Sequence, residues 1–469
     1  MDNICWTVCE YVDVLSYCRA KINHVSKSNL LAFFIVSEVK TMSKNVLEIS
    51  GVSVEQLAAT CKTPLYVYDE NKIRQQLSMY HELFQSNEFE TEVLYASKAF
   101  SCKAMVELVK TYGLSLDVVS GGELYTAKQA GFPMEHVYFH GNNKSYEELE
   151  MAVSYGVGTI IVDNDMECNA LVQIMKNAGT SIKTMIRVNP GVEAHTHKYI
   201  MTAYVDSKFG ISILRKQEIA DMILTLTSIP NITFEGFHSH IGSQIFDKDA
   251  YVAEITKLCE FMEEMQKEYN IVCNSLNLGG GFAAYYTSAD HPIPLQEVCK
   301  TILDTCRIQK DTHGLAFHRV LIEPGRSIVA EAGSTLYRIG YQKVTENKKY
   351  LFVDGGMSDN IRPALYQAEY ACDIANRMNE EKIEKVTVAG KCCESGDILV
   401  EDVMLPVAKQ NDLLVLYTTG AYGYSMASNY NKLGRPAVVF VKDGIVREVI
   451  KRESYQDMTA MDCDEVINV

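Results

Sequence analysis

The chain contains no Cys-x-x-Cys pair, no apolar run near the length of a membrane helix and no excess of positive charge. Each absence removes a class of function. The fourteen cysteines are scattered, so neither a zinc site nor a thioredoxin-type motif is expected, and they read as the reduced thiols of a cytoplasmic protein. A formal net charge of −16 argues against a nucleic-acid-binding face, which needs clustered lysine and arginine. Spanning a bilayer takes about 20 apolar residues. The stretch Leu30-Leu31-Ala32-Phe33-Phe34-Ile35-Val36 is too short for that, and it lacks a small-residue cleavage site before Glu38. Residues 1–41 are expected to be an extension of unknown role, with Met42 an alternative start of the functional chain.

What is present is the composition of a soluble enzyme: 469 residues, 47% apolar and 22% charged, long enough for two domains. Between residues 93 and 323 short apolar runs alternate with amphipathic segments. The expected strands are 93–98, 114–119, 137–141, 159–163, 183–189, 232–240, 275–279 and 319–323. Eight strands alternating with helices predict a (β/α)8 TIM barrel, for which about 250 residues is typical. Near-continuous apolar runs such as Thr159-Ile160-Ile161-Val162 suit buried parallel strands. A doubly wound open sheet is the alternative, because periodicity does not show closure. Beyond about residue 330 come β-rich runs at 350–353, 385–389, 413–416 and 437–441, with Lys442-Asp443-Gly444 as a hairpin turn. The expected division is a barrel over 73–327 and a mostly antiparallel β domain over 42–72 and 328–469, the run at 64–68 joining the latter.

Active sites of such barrels lie at the C-terminal ends of the strands. Those ends carry Lys98, Asp117 with Ser120, His140, Asp163, Arg187 with Asn189, His238 with His240, Gly279-Gly280-Gly281 and Glu323-Pro324-Gly325-Arg326. A lone lysine after Val93-Leu94-Tyr95-Ala96-Ser97 has the appearance of a solvated charge. It is also where an amine could form a Schiff base with a carbonyl, including the aldehyde of pyridoxal phosphate. The triple glycine lets backbone N–H groups approach an anion, and it is expected to open onto a helix whose dipole adds to the effect. A carboxylate at Glu323 would keep a pyridine nitrogen protonated; its alternative is an ion pair with Arg326. His195 and His197 read as surface loop residues, and His240 as a ring that stacks on a flat cofactor. No metal site is expected.

These segments resemble the fold-type III pyridoxal-phosphate-dependent decarboxylases, and among them the diaminopimelate decarboxylases, over about residues 60 to 450. The carriers are Tyr95-Ala96-Ser97-Lys98-Ala99, Asp117-Val118-Val119-Ser120-Gly121-Gly122-Glu123, His238-Ser239-His240-Ile241-Gly242-Ser243-Gln244, Leu278-Gly279-Gly280-Gly281-Phe282 and Glu323-Pro324-Gly325-Arg326. Further along are Asp359-Asn360-Ile361-Arg362-Pro363-Ala364-Leu365-Tyr366, Cys393-Glu394-Ser395-Gly396-Asp397, Gly420-Ala421-Tyr422 and Ser425-Met426-Ala427-Ser428-Asn429-Tyr430-Asn431. The resemblance implies pyridoxal 5'-phosphate as cofactor, with Lys98 as its Schiff-base lysine and His240 stacked on the ring. Asp117 and Glu323 face the cofactor, Glu323 at the pyridine nitrogen. Ser243, Gly279, Gly280, Gly281, Pro324, Gly325 and Arg326 hold its phosphate. Cys393 becomes the proton donor, reaching the partner's site across a head-to-tail homodimer. Arg326, Arg362, Tyr366 and Glu394 bind the distal end of an amino-acid substrate, and Tyr422 touches both cofactor and substrate.

The residue types agree with decarboxylation of meso-2,6-diaminopimelate to L-lysine. Its far end carries an ammonium and a carboxylate; arginines suit the second and Glu394 the first. Basic amino-acid decarboxylases of this fold usually have Asp after the cysteine, where this chain has Glu394. Decarboxylation of a basic amino acid or a carboxylated polyamine, a non-catalytic homologue, and racemisation of alanine are the alternatives.

Overall fold

A computed structural model describes residues 45–192, 207–465 and 467. The chain divides into Met1–Asn45 and Val46–Val469. The extension 1–41 and the His195/His197 pair lie outside the described residues.

The eight expected strands are present as Glu90–Ala96, Ser115–Val118, Val137–Phe139, Thr159–Val162, Ile182–Asn189, Ile232–His238, Ser275–Asn277 and Arg319–Ile322. Each pairs in parallel with the next, Arg319–Ile322 returns to Glu90–Ala96, and Ile182–Asn189 pairs with Ile232–His238. The sheet is therefore a closed (β/α)8 barrel rather than an open one. Polar caps start several of the outer helices just past a strand end: Ser120 accepts from the Glu123 amide and Asn164 from the Glu167 amide.

Side chains alternate along a strand, so every second residue shares one face. At the lower end of the interior, Glu92 of the first strand accepts from the Tyr138 hydroxyl (2.8 Å) and pairs with Arg319 and Ser115. Two residues on, Leu94, Tyr138, Ile161, Met185 and Leu321 form an apolar plug. Two residues further, the same faces carry Asp117, His140, Asp163, Arg187, His238 and Glu323. The barrel is thus sealed below and polar above. Six strands that read as apolar runs each end on a charged or imidazole group, because the period-two face reaches the mouth there.

The second layer of structure is a β domain built mainly from antiparallel pairs. Its spine is Gly333–Val344, twelve residues long, with Leu413–Leu416 and Leu65–Asp69 along its first half and Lys349–Val353 along its second. Ala437–Lys442 pairs in parallel with Leu65–Asp69 and turns back into Ile445–Ile450. Asp443 and Gly444 in that turn have φ of 50° and 81°, the left-handed pair a two-residue hairpin prefers. The pre-barrel run therefore sits inside this sheet. Ile445–Ile450 is the return strand of the expected hairpin, whereas Gly333–Val344, Cys372–Ile374 and Ile398–Leu405 were not expected from sequence.

The sheet reaches the barrel mouth through residues 420–425. Tyr422 donates its amide to the Ala99 carbonyl (2.8 Å), and the Ser425 hydroxyl donates to the same oxygen (3.1 Å). This tie lays the β domain against the turn Ser97–Ala99, which carries Lys98.

Candidate active site

Lys98 lies one residue into a single turn of 3-10 helix at the end of the first strand. It is open to solvent at the mouth and closely surrounded by protein on its other sides. Burial works to lower its pKa, but the charges of Asp117, Tyr422 and Glu323 outweigh that and hold it above the ordinary lysine value, against an opposing push from Arg187. In the free protein the group is therefore an ammonium.

Glu323 is fully surrounded by protein, and its oxygens are occupied. Oε2 lies 3.2 Å from His238 Nε2 in a hydrogen bond, and Oε1 accepts from Asn277 Nδ2 at 2.8 Å. His140 Nε2 approaches Oε1 to 3.0 Å and Asp117 Oδ1 to 3.7 Å. Burial alone would raise the Glu323 carboxyl; the two imidazoles outweigh it and hold the group well below the usual carboxylate range. The alternative, an ion pair with Arg326, is not formed: Arg326 donates to Ser243 and Tyr286 instead. The donor atoms of His140, His238 and Glu323 lie within 4.8 Å of one another, a spacing that a metal ion could use. His238 and Asn277 already hydrogen-bond to the two Glu323 oxygens, whereas His140 Nε2 has no hydrogen-bond partner among the described residues.

Burial drives the His238 pKa down to about 4, helped by His140 and Arg187 against the pull of Glu323, so it meets Glu323 as a neutral N–H donor. His240 is lowered too, by burial first and then by Lys98 and Arg187. Its Nδ1 accepts from the Gly280 amide at 3.2 Å, which fixes a neutral ring with its proton on Nε2.

The glycine loop is a tight cradle. Gly279 and Gly281 have φ of +62° and +99°, the left-handed region that favours glycine. A Cβ on Gly280 would stand 2.2 Å from the Glu323 carbonyl oxygen. The helix expected to follow does not. The next one begins at Leu295, because Pro292 and Pro294 hold the intervening chain extended. Two of the loop's amides are also already committed, Gly279 to Asn277 Oδ1 (3.0 Å) and Gly280 to His240.

Arg326 is buried against the loop and donates to Ser243 Oγ from Nε (3.3 Å) and Nη2 (3.0 Å), and from Nη1 to the Tyr286 hydroxyl (2.6 Å). Its guanidinium stands 4.8 Å from the Tyr422 ring centre. Arg362, from the β domain, stands 5.6 Å from the same ring, 5.3 Å from Tyr366, and donates to the Tyr370 hydroxyl at 3.0 Å. Tyr422 itself has φ of 60°, a strained backbone for a bulky residue. Cys393 and Glu394 are exposed. The Cys393 amide donates to Asn431 Oδ1 (2.6 Å), and Glu394 Oε1 accepts from the neighbouring Ser395 and Gly396.

The polar atoms around Lys98 fit a flat, phosphorylated aldehyde. Both Asp117 oxygens are buried without a hydrogen-bond partner among the described residues, and the loop is too close-packed for any side chain but hydrogen. Sequence reading assigned no role to His140, Asn277, Tyr286 or Tyr370. Asn277 was within reach, since it lies on the inward face two residues before Gly279. Tyr286 and Tyr370 sit in loops with no periodic signal.

Residues 70–330 match the family model described as "Pyridoxal-dependent decarboxylase, pyridoxal binding domain". The chain is 49% identical over 417 residues to the diaminopimelate decarboxylase of Bacillus subtilis, covering 89% of this chain and 95% of that one. The chain belongs to the diaminopimelate decarboxylase family. A solved family structure from M. jannaschii in complex with L-lysine superposes with a TM-score of 0.84 at 33% identity, covering 90% of this chain and 97% of that one. The Helicobacter pylori family member, also complexed with L-lysine, has a TM-score of 0.78 at 31% identity over 87% of this chain and 99% of the other. Within the family frame this chain is a pyridoxal-dependent carboxy-lyase on a barrel plus an antiparallel sheet.

Proposed function

We propose that this chain decarboxylates meso-2,6-diaminopimelate to L-lysine and carbon dioxide, the last step of lysine biosynthesis. It does so with pyridoxal 5'-phosphate at the barrel mouth, as a cytoplasmic homodimer. The observation that carries the reading is the pair of guanidiniums, Arg326 and Arg362, both set against the Tyr422 ring above Lys98. A substrate with a second carboxylate far from the reacting carbon needs cations at that height; ornithine, arginine and lysine do not. L-lysine in the two related structures supports a site shaped for that carbon chain.

Bound there, the cofactor supplies a sink for the electron pair left when the α-carboxylate departs. The protein's own groups do the rest. Lys98 Nζ would hold the aldehyde once it had given up a proton, which the Asp117 carboxylate, buried without a hydrogen-bond partner among the described residues, is suited to accept. Ionised Glu323, held by His238 and Asn277, would keep a ring nitrogen protonated. Neutral His240 offers a flat face without a competing charge. Ser243 accepts from Arg326 and so has its own hydroxyl hydrogen to offer a phosphate. Cys393 Sγ would return a proton to the α-carbon, a role open to a thiol acting as a general acid. Its exposure, and that of Glu394, support their serving the site of a second copy.

The test is carbon dioxide release with added pyridoxal 5'-phosphate from meso-diaminopimelate, L-lysine, L-ornithine and L-arginine. Turnover of the first alone is expected. Turnover of ornithine without diaminopimelate would overturn the substrate assignment.

A further inference from the structure

Ser239 lies between the two histidines that face the site, and alternation turns its side chain the other way, towards the helix Asp249–Tyr269. There its hydroxyl meets Glu254 Oε1. Ser239 and Glu254 are both fully buried. The second oxygen of Glu254 has no hydrogen-bond partner among the described residues. The titratable groups that face it are Tyr251 on its own helix, Cys306 on Leu295–His313, and Glu323 on the far side of the strand layer. None is a cation. An ionised carboxylate in such a place has no compensation for its lost water and faces another negative charge.

We propose that Glu254 is a positioning residue for the cofactor face: bound to Ser239 as a neutral acid, it sets the strand end that carries His238 and His240. The backbone geometry shows why one contact matters there. Ser239 donates its amide to the Asn277 carbonyl at 2.9 Å, and its own carbonyl lies 2.5 Å from where a Gly279 Cβ would stand. A shift at Ser239 therefore moves the loop and both imidazoles together. Burial, reinforced by Glu323 and opposed by the Ser239 hydrogen bond, raises the Glu254 carboxyl to about 8. When the proton leaves to solvent, the carboxylate can be solvated only if water enters or the helix withdraws, and either displaces Ser239.

The kinetic arm of this inference rests on the cofactor reading above; its stability arm does not. Two measurements on the full chain test it: the pH profile of kcat for the holoenzyme, and the melting temperature of the apoprotein against pH. In E254Q an amide that does not titrate replaces the acid. One proton titrating at about 8 makes the ratio of E254Q to wild-type kcat rise about tenfold between pH 7 and pH 9. For stability, the folded pKa is raised above the unfolded one, so the folded state holds the extra proton. Wild type therefore loses melting temperature relative to E254Q as pH climbs from about 4.5 to about 8, and no more above that. S239A, which keeps the acid and cuts its link, is expected to keep that stability trend but lose the alkaline fall in kcat. Parallel kcat profiles for E254Q and wild type, or an unaltered alkaline fall in S239A, would overturn the inference; if E254Q does not fold, S239A decides. A merely structural Glu254 would lower kcat equally at every pH. Failure of the cofactor reading would remove turnover and leave the apoprotein titration in place, whereas failure of the inference leaves turnover with no difference in pH profile between E254Q and wild type.

Discussion

Arg326 and Tyr422 join the two layers of the molecule: a barrel guanidinium rests 4.8 Å from the centre of a ring delivered by the β domain. Arg362 reaches the same ring from the β domain itself, at 5.6 Å. The site is thus assembled from both layers, and its distal end takes its charge from the pair.

Arg362→Lys tests that end. Lysine keeps the charge but loses the planar fork and the bond to Tyr370. Charge-assisted hydrogen bonds contribute roughly 1.5–3 kcal/mol, so kcat/KM for meso-diaminopimelate should fall about 10- to 100-fold. Cofactor affinity should stay as in wild type. An equal loss of cofactor affinity would show that Arg362 braces the fold instead.

Lys98→Ala is expected to abolish turnover and the visible absorbance that pyridoxal 5'-phosphate acquires on the protein, with secondary structure preserved. The side chain is open at the mouth and packs no core, so truncation leaves no cavity. Residual turnover in a spectrally silent variant would assign the tether to another amine.

For Cys393→Ala the expectation is the opposite split: absorbance retained and turnover reduced roughly 10²- to 10⁴-fold, the range of a lost general acid. Cys393 is exposed and bonded only through its amide, so stability should not change. Mixing this variant with Lys98→Ala adds a test of the shared site, since hybrid dimers would carry one intact site and regain activity.

Gly280→Ala probes the cradle. The added methyl would stand 2.2 Å from the Glu323 carbonyl oxygen, so the loop or the strand end must move. Cofactor affinity should drop, measured by titration of absorbance, and stability should fall by about 1–3 kcal/mol, as overpacking does. Wild-type affinity would show that the loop does not hold the phosphate.

Much of this was legible in sequence because buried parallel strands are apolar on both faces and announce themselves. Thr159–Val162 is an example, being buried throughout. The strand ends were less so: the pattern ran 93–98 where the strand stops at Ala96, because the polar functional residues belong to the turn that follows. Gly333–Val344 escaped notice since it opens on small residues and ends in four exposed positions. The helix expected after Gly281 is displaced to Leu295 by Pro292 and Pro294. Glu254 carried no signal at all. A glutamate on an amphipathic helix looks solvated until packing shows that it faces inward.

The last expectation concerns His238. Its folded pKa, about 4, lies below the unfolded value of about 6.5, so the unfolded chain binds the extra proton as the medium turns acidic. Stability from this group is complete above about pH 6.5 and is lost as pH falls to about 4, with a full contribution of about 3 kcal/mol. His238→Gln removes the titration while retaining an N–H donor for Glu323. Wild type should therefore lose about 3 kcal/mol relative to His238→Gln as the pH falls from about 6.5 to about 4, read from the two denaturant midpoints. If wild type instead gains on His238→Gln as the pH falls through about 6.5, His238 is already protonated in the folded protein and Glu323 is held by an imidazolium instead of a neutral ring.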